Sequence, residues 1–330
     1  MRPGARAWSV AAAALLAACV SVRPPAPAPA AVGDEIVICG RRFPTGAPVV
    51  LWTDPGGYDA TRTDLRRSPP PPDLDPLTGL RYTPGRTTRG EEQRVLVPPG
   101  SSDLEALAEV VDLFVVHYDV CAVSRRCFEV LHDIRGLSVQ FLLDVDGTIY
   151  QTLDARETAW HAAQANPRSI GVEIAHPGAR PLARAGELDG WYARDPLGPR
   201  LVLPASWGDG GVRTPGFVAR PARPELVRGT VHGAEYVQHD FTAEQYDSLA
   251  KLIAAVCRAL PRVNPDAPRD AAGRVRTDAL SDAELAAYSG ILGHQHVTTR
   301  KQDPGPAFDW ERVLRAVRAR LGAPVSLGAR

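Results

Sequence analysis

The sequence lacks an excess of charge of either sign, is poor in cysteine and has no long apolar run. Its 330 residues carry 38 basic and 38 acidic side chains, so no cationic surplus points to a nucleic-acid partner. Five cysteines are too few for a disulfide-dense scaffold. The apolar run from Trp8 to Leu16 is too short to cross a bilayer as a stable helix. No internal repeat is present. Proline and glycine are plentiful, 31 and 29 residues. They cluster outside the periodic segments, which implies irregular stretches beside a compact core. The length fits one large or two ordinary domains.

Arg2 and Arg6 precede the apolar run, the pattern of an export signal. The run ends in Leu16-Ala17-Ala18-Cys19, which resembles the lipobox of bacterial lipoproteins. That resemblance implies a signal peptide at 1–18, lipid on Cys19 and attachment to a membrane through it. Val20, not an acidic residue, follows the cysteine; in that family this favours the periplasmic face of the outer membrane. An ordinary secretory signal is the alternative, and both export the chain.

Residues 19–32 read as a Pro/Ala tether. Residues 33–95 read as an irregular extension wrapped on the main domain, with short strands at 35–39 and 49–52 and turn signals after them. The main domain is expected over 96–325. Ser102 with Glu105 matches a capping box ahead of a short amphipathic helix. Leu113-Phe114-Val115-Val116 reads as a buried strand with His117 at its C-terminal end, where ligands gather in α/β sheets. In an exported chain Cys121 and Cys127 read as a disulfide closing a small loop; two reduced, buried cysteines are the alternative.

Asp146-Gly147 between apolar runs signals a hairpin. In Ser169-Ile170-Gly171-Val172-Glu173-Ile174 the apolar residues face one way, and Gly171 and Glu173 the other. The glycine beside the carboxylate suggests room for a ligand above it. Residues 177–238 are too long for a plain connection and read as a binding loop or a decoration. Helices are expected after Thr242, Ser281 and Asp309.

The polar residues that carry chemistry cluster in Gly293 to Trp310. His117 and His294 offer nitrogens and Asp303 an oxygen. Two histidines and a carboxylate with a fourth position open make up a catalytic zinc site. Glu173 is the available general base, and Lys301 a cation for developing negative charge.

Several motifs then agree in order: Phe114-Val115-Val116-His117, Ser138 to Tyr150, Ala159-Trp160-His161-Ala162, Asn166 to Glu173, and Gly293-His294 to Trp310. Over roughly 95–325 the chain resembles the zinc-dependent type-2 N-acetylmuramoyl-L-alanine amidases, whose fold is shared with peptidoglycan-recognition proteins. The resemblance implies an α/β fold with a central mixed β-sheet flanked by helices. It implies Zn2+ held by His117, His294 and Asp303, with Glu173 and Lys301 catalytic. The implied substrate is peptidoglycan or its muropeptides, cut between N-acetylmuramic acid and L-alanine. His161, Asn166 and His296 become candidates for outer support or substrate contact, and Cys121/Cys127 match the disulfide of the recognition proteins. His296 stands where many members have Asp, which leaves His294 and His296 as competing ligands.

Other readings are a non-catalytic peptidoglycan-binding module, an iron oxygenase built on His117, Asp119 and His294, and a structural lipoprotein. The complete set of five site residues disfavours the first. Export and the wrong surrounding fold disfavour the second. The third predicts that changes at Glu173 or Lys301 are silent.

Overall fold

A computed structural model describes residues 32–63, 79–88 and 94–322. The expected signal peptide, Cys19 and most of the tether lie outside the described residues. The chain opens with β1 (Gly33–Ile38) and β2 (Arg41–Leu51), followed by the short β3 (Tyr82–Thr83), β4 (Arg86–Thr87) and β5 (Val95–Val97). Then come α1 (Leu104–Val110), β6 (Leu113–Tyr118), α2 (Ser124–Phe128), β7 (Phe141–Leu143), β8 (Ile149–Gln151), β9 (Thr158–Ala159) and β10 (Ser169–Ile174). The insertion supplies β11 (Arg180–Pro181), β12 (Tyr192–Asp195), β13 (Gly198–Leu201), β14 (Val227–Val231) and β15 (Ala234–Gln238). The chain closes with α3 (Ala243–Ala259), α4 (Asp282–Ala287), β16 (Gly290–Gly293), α5 (His294–Val297) and α6 (Trp310–Gly322).

Seven strands form the central sheet in the order β1-β2-β8-β7-β10-β6-β16. It is mixed: β7, β10, β6 and β16 run parallel, while β1/β2 and β7/β8 are antiparallel pairs. On one face Phe114, Val116, Ile170, Val172 and Ile174 pack against α3 and α6 through Leu249, Ile253, Val313 and Val317. Leu113, Val115 and Leu292, on the opposite face, join Ala162 and Ala165. This alternation of strand side chains is what sends His117, Gly171 and Glu173 away from the main core.

Two expectations need correction. The helix cap lies one residue later than the capping-box pattern suggests: Asp103, not Ser102, accepts from the Ala106 amide at 2.9 Å. A carboxylate outcompetes a hydroxyl there because it also answers the positive end of the helix. The front of the chain is also more regular than its composition implies. Val49, Val50 and Leu51 of β2 pair in parallel with Ile149, Tyr150 and Gln151 of β8, so this stretch belongs to the central sheet.

Beyond it, residues 81–88 are bonded into the 155–169 loop. Tyr82 and Thr83 pair with Ala159 and Thr158. Arg86 is fully buried and donates to the carbonyls of Ala155, Arg156, Asn166 and Ser169.

The capping boxes at Thr242/Gln245 and Ser281/Glu284 form as the pattern expects. Asp309 accepts from the Arg312 amide at the head of α6.

Candidate functional site

Three adjacent parallel strands, β10, β6 and β16, present the site at their C-terminal ends. Glu173 pairs in register with His117, and Gly293 with Val116, so His294 emerges at the level of His117. α5 and the following turn then bring the chain back, with the Gln295 amide donating to the Asp303 carbonyl at 2.9 Å. Asp303, distant in sequence from His117, thereby lies beside it.

The result is a tight polar triangle. His117 Nδ1 lies 2.9 Å from His294 Nδ1 and 3.0 Å from Asp303 Oδ2. His294 Nδ1 lies 3.1 Å from the same carboxylate oxygen. All three residues are buried, and their ligand atoms lie within 4.8 Å of one another. Two imidazole nitrogens so close share at most one proton, so lone pairs are left facing a carboxylate oxygen. Burial, and then the neighbouring His294, push His117 down to about 4. Burial works against ionisation of Asp303, but hydrogen bonds from His117 and His294 hold its carboxyl well below the usual range. A neutral imidazole and an ionised carboxylate are the forms that ligate a metal. The donor set therefore fits a divalent ion such as zinc.

The far nitrogen of His117 meets a third histidine: Nε2 lies 2.9 Å from His161 Nδ1, and His161 Nε2 lies 3.2 Å from Ser169 Oγ. If His117 Nδ1 offers a lone pair, its Nε2–H donates to His161, whose own Nε2–H donates to Ser169. Such an outer partner fixes the tautomer and direction of a metal-binding imidazole. The space above Gly171 is filled by this ring, not free for a ligand. A Cβ at 171 would come within 2.5 Å of His161 Nδ1, so glycine is needed there for close approach. Asn166 supports the loop instead of the cleft: its Oδ1 accepts from the amides of His161 and Ala162 at 3.2 and 2.6 Å.

His296 is turned away. Its Nδ1 accepts from the Gly293 amide, its Nε2 donates to the Arg276 carbonyl, and its ring packs near Trp310. The geometry brings His294, not His296, to the triangle.

A cleft of about 360 Å3 opens over the triangle. Trp160, Val130, Leu131 and Leu137 line it beside Glu173, Lys301 and Arg135. Glu173 is half-buried, with Oε2 shielded and without a hydrogen-bond partner. Burial, then Asp303 and Asp119, push its carboxyl well above the usual range, against Lys301 and Arg135. The Lys301 ammonium has no hydrogen-bond or ion-pair partner among the described residues.

The expected disulfide is not formed. Cys121 and Cys127 are free and share one buried apolar cluster with Phe128 and Leu131. Burial, reinforced by Asp119 and Glu173, raises both thiols well above their ordinary range.

Sequence reasoning missed Ser169 and Arg86 as supports of the site loop. No local pattern marks them, since each acts only on residues that the fold brings near.

A family model described as N-acetylmuramoyl-L-alanine amidase matches residues 107–306, more than half of the chain. No curated protein matches the sequence. Among solved structures, an AmpD derivative is 17% identical with a TM-score of 0.32, covering 80% of this chain and 98% of its own. The endolysin amidase LysCS from Clostridium intestinale URNW is 13% identical with a TM-score of 0.34, covering 64% of this chain and 86% of its own. The amidase AmiD from E. coli, in complex with anhydro-N-acetylmuramic acid-L-Ala-D-gamma-Glu-L-Lys, is 17% identical with a TM-score of 0.35. The match covers 62% of this chain and 57% of AmiD.

Proposed function

The chain belongs to the N-acetylmuramoyl-L-alanine amidase family, and from that premise we propose a zinc-dependent hydrolase. Its substrate would be the amide between N-acetylmuramic acid and the L-alanine of peptidoglycan or muropeptides. The observation that carries this reading is the convergence of His117 Nδ1, His294 Nδ1 and Asp303 Oδ2 beneath a cleft that Glu173 and Lys301 also line.

His117, His294 and Asp303 would hold the ion. Zinc, when bound, acidifies water and polarises a carbonyl. The rest falls to the chain. Glu173 takes the proton of the attacking water and returns it to the departing amine; burial, which raises its carboxyl, favours the protonated form from which that proton is returned. Lys301 supplies positive charge where the carbonyl oxygen becomes negative. Trp160 and the apolar wall of Val130, Leu131 and Leu137 limit water around that charge, which strengthens it. His161 holds the His117 ring in the orientation the triangle needs.

The test is a paired assay. The purified chain is analysed for metal and incubated with peptidoglycan beside Glu173→Ala, with products read by mass spectrometry. Free stem peptides beginning at L-alanine, with zinc bound, are expected. Zinc with tight binding and no cleavage in the unaltered chain would favour the recognition-module reading instead.

We further propose that the mature chain is anchored through lipid on Cys19 at the periplasmic face of the outer membrane. The support is the Leu16-Ala17-Ala18-Cys19 pattern. Cys19→Ala should release the protein from the membrane fraction and abolish incorporation of labelled fatty acid.

A further inference from the structure

The insertion between β10 and α3 carries no member of the polar triangle, yet its last hairpin touches the segment that does. β14 and β15 are joined by a two-residue turn, His232-Gly233, with Val231 paired to Ala234. Both turn residues have positive φ, 51° and 77°. Such a turn favours Asn, Asp or Gly at its first position; histidine is among the few other residues that adopt positive φ with some frequency. Positions like this persist where the surroundings hold them, often at functional sites.

His232 is held at both ends. Its amide donates to the Thr277 carbonyl at 3.0 Å. Its Nε2 lies 2.8 Å from the Lys301 carbonyl. A carbonyl only accepts, so Nε2 carries the proton. Nδ1 is buried and has no hydrogen-bond partner among the described residues, so the Nε2 bond is the ring's one hydrogen bond there.

The rest of the hairpin grips the next residues. Gln238 donates to the Pro304 carbonyl at 3.1 Å and accepts from the Ala307 amide at 3.0 Å. Gly229 lies against Pro306, where a Cβ would come within 2.7 Å. Pro304 and Pro306 have no N–H of their own to offer a ladder. The segment depends on outside donors.

We propose that His232 is a positioning residue for Lys301, and that the β14–β15 hairpin braces the loop carrying it. This rests on the reading of Lys301 as the cation that meets developing charge. Among the described residues the ammonium has no partner, so its position is inherited from its backbone, and His232 pins the Lys301 carbonyl. The Lys301 amide has only a long 3.3 Å bond, to Thr298. Asp303 is anchored separately by His117, His294 and the Gln295 amide. Loss of His232 therefore loosens Lys301 while the metal ligands stay in place.

The decisive variant is His232→Asn in the full, zinc-loaded chain. Asparagine suits the turn but is too short to reach the Lys301 carbonyl, so the fold is kept and the brace is lost. The expected result is a fall in kcat of about 10- to 100-fold with KM and zinc content unchanged. His232→Gln, whose amide reaches farther, should recover part of the loss. A second readout does not need turnover. Lys251 and Lys301 are the only lysines in the chain, so lysine-selective isotope labelling gives two side-chain signals. His232→Asn should shift the Lys301 signal and leave Lys251, paired with Asp247, in place. Unchanged kcat with an unchanged Lys301 signal overturns the proposal. So does zinc loss in parallel with kcat, since the hairpin would then serve the ligands. If the unaltered chain binds zinc but cleaves no amide, the hydrolase reading falls, and the Lys301 signal alone decides for or against the brace.

Discussion

Glu173 and His117 are register partners on the parallel strands β10 and β6, so both side chains leave the sheet on the same face. Candidate general base and candidate metal ligand thus share a position fixed by backbone hydrogen bonds. A slip of one residue in either strand would turn that side chain into the packed core. The site is a product of register before it is a product of side-chain contacts.

Metal binding separates the two histidines of the 293–297 stretch. Asp303→Asn should lower zinc affinity by more than the roughly 10- to 100-fold that loss of an outer partner costs. His296→Ala should keep zinc, because His296 bonds to Gly293 and Arg276 instead. Competitive chelation of each variant measures this. Zinc loss in His296→Ala with retention in His294→Ala would reverse the assignment.

Glu173→Gln and Lys301→Ala should both keep zinc and lose turnover. Loss of one charge-stabilising group typically costs about 100- to 1000-fold in kcat. Lys301→Arg should not restore full activity, since a planar guanidinium cannot reproduce a compact ammonium. The check is steady-state kinetics on a defined muropeptide with metal content measured in parallel. Full activity in Lys301→Ala would remove that residue from the chemistry.

Arg86→Met should destabilise the fold strongly. Four carbonyls, of Ala155, Arg156, Asn166 and Ser169, would lose a buried donor. Each unsatisfied buried group costs about 1–3 kcal/mol, so a loss of about 3 kcal/mol or more is expected in denaturant unfolding. A change below about 1 kcal/mol would mean that water replaces the guanidinium.

Asp144 gives the fold a pH dependence. It is fully buried, and burial, opposed by hydrogen bonds and helped by Asp146, raises its carboxyl to about 7. A folded pKa above the unfolded value means that the native state binds more protons between them. Stability contributed by the protonated form is complete below the unfolded value of 3.8 and declines as pH rises to about 7. The span amounts to about 4 kcal/mol at most. Asp144→Asn keeps a neutral acceptor for the Val145 amide. It should gain stability relative to the unaltered chain as pH rises from 4 to 7. Parallel melting curves across that range test it.

Much of the site was legible because its residues sit in short periodic elements. The alternation around Glu173, the apolar strand ending at His117 and the Gly293-His294 step each declare their geometry locally. What failed to show depends on distant partners. Only packing reveals that His161 fills the space above Gly171, or that His296 turns toward Arg276. The strands at 35–39 and 49–52 were legible, but not that the second pairs with β8 and so joins the central sheet, because that partner lies about 100 residues away. Cys121 and Cys127 lie close in sequence and share one buried apolar cluster, yet the structure leaves them unbonded.

The order of the sheet has a consequence for how this chain can change. β1 and β2 enter at one edge, and β8 and β7 stand between them and β10, the first strand that carries a site residue. Heritable changes in the length or twist of β1 are therefore separated from the chemistry by three strands, β2, β8 and β7. The opposite edge, β16, has no such margin, since the residue after its last is His294. Innovation is cheap at one border of the sheet and close to forbidden at the other.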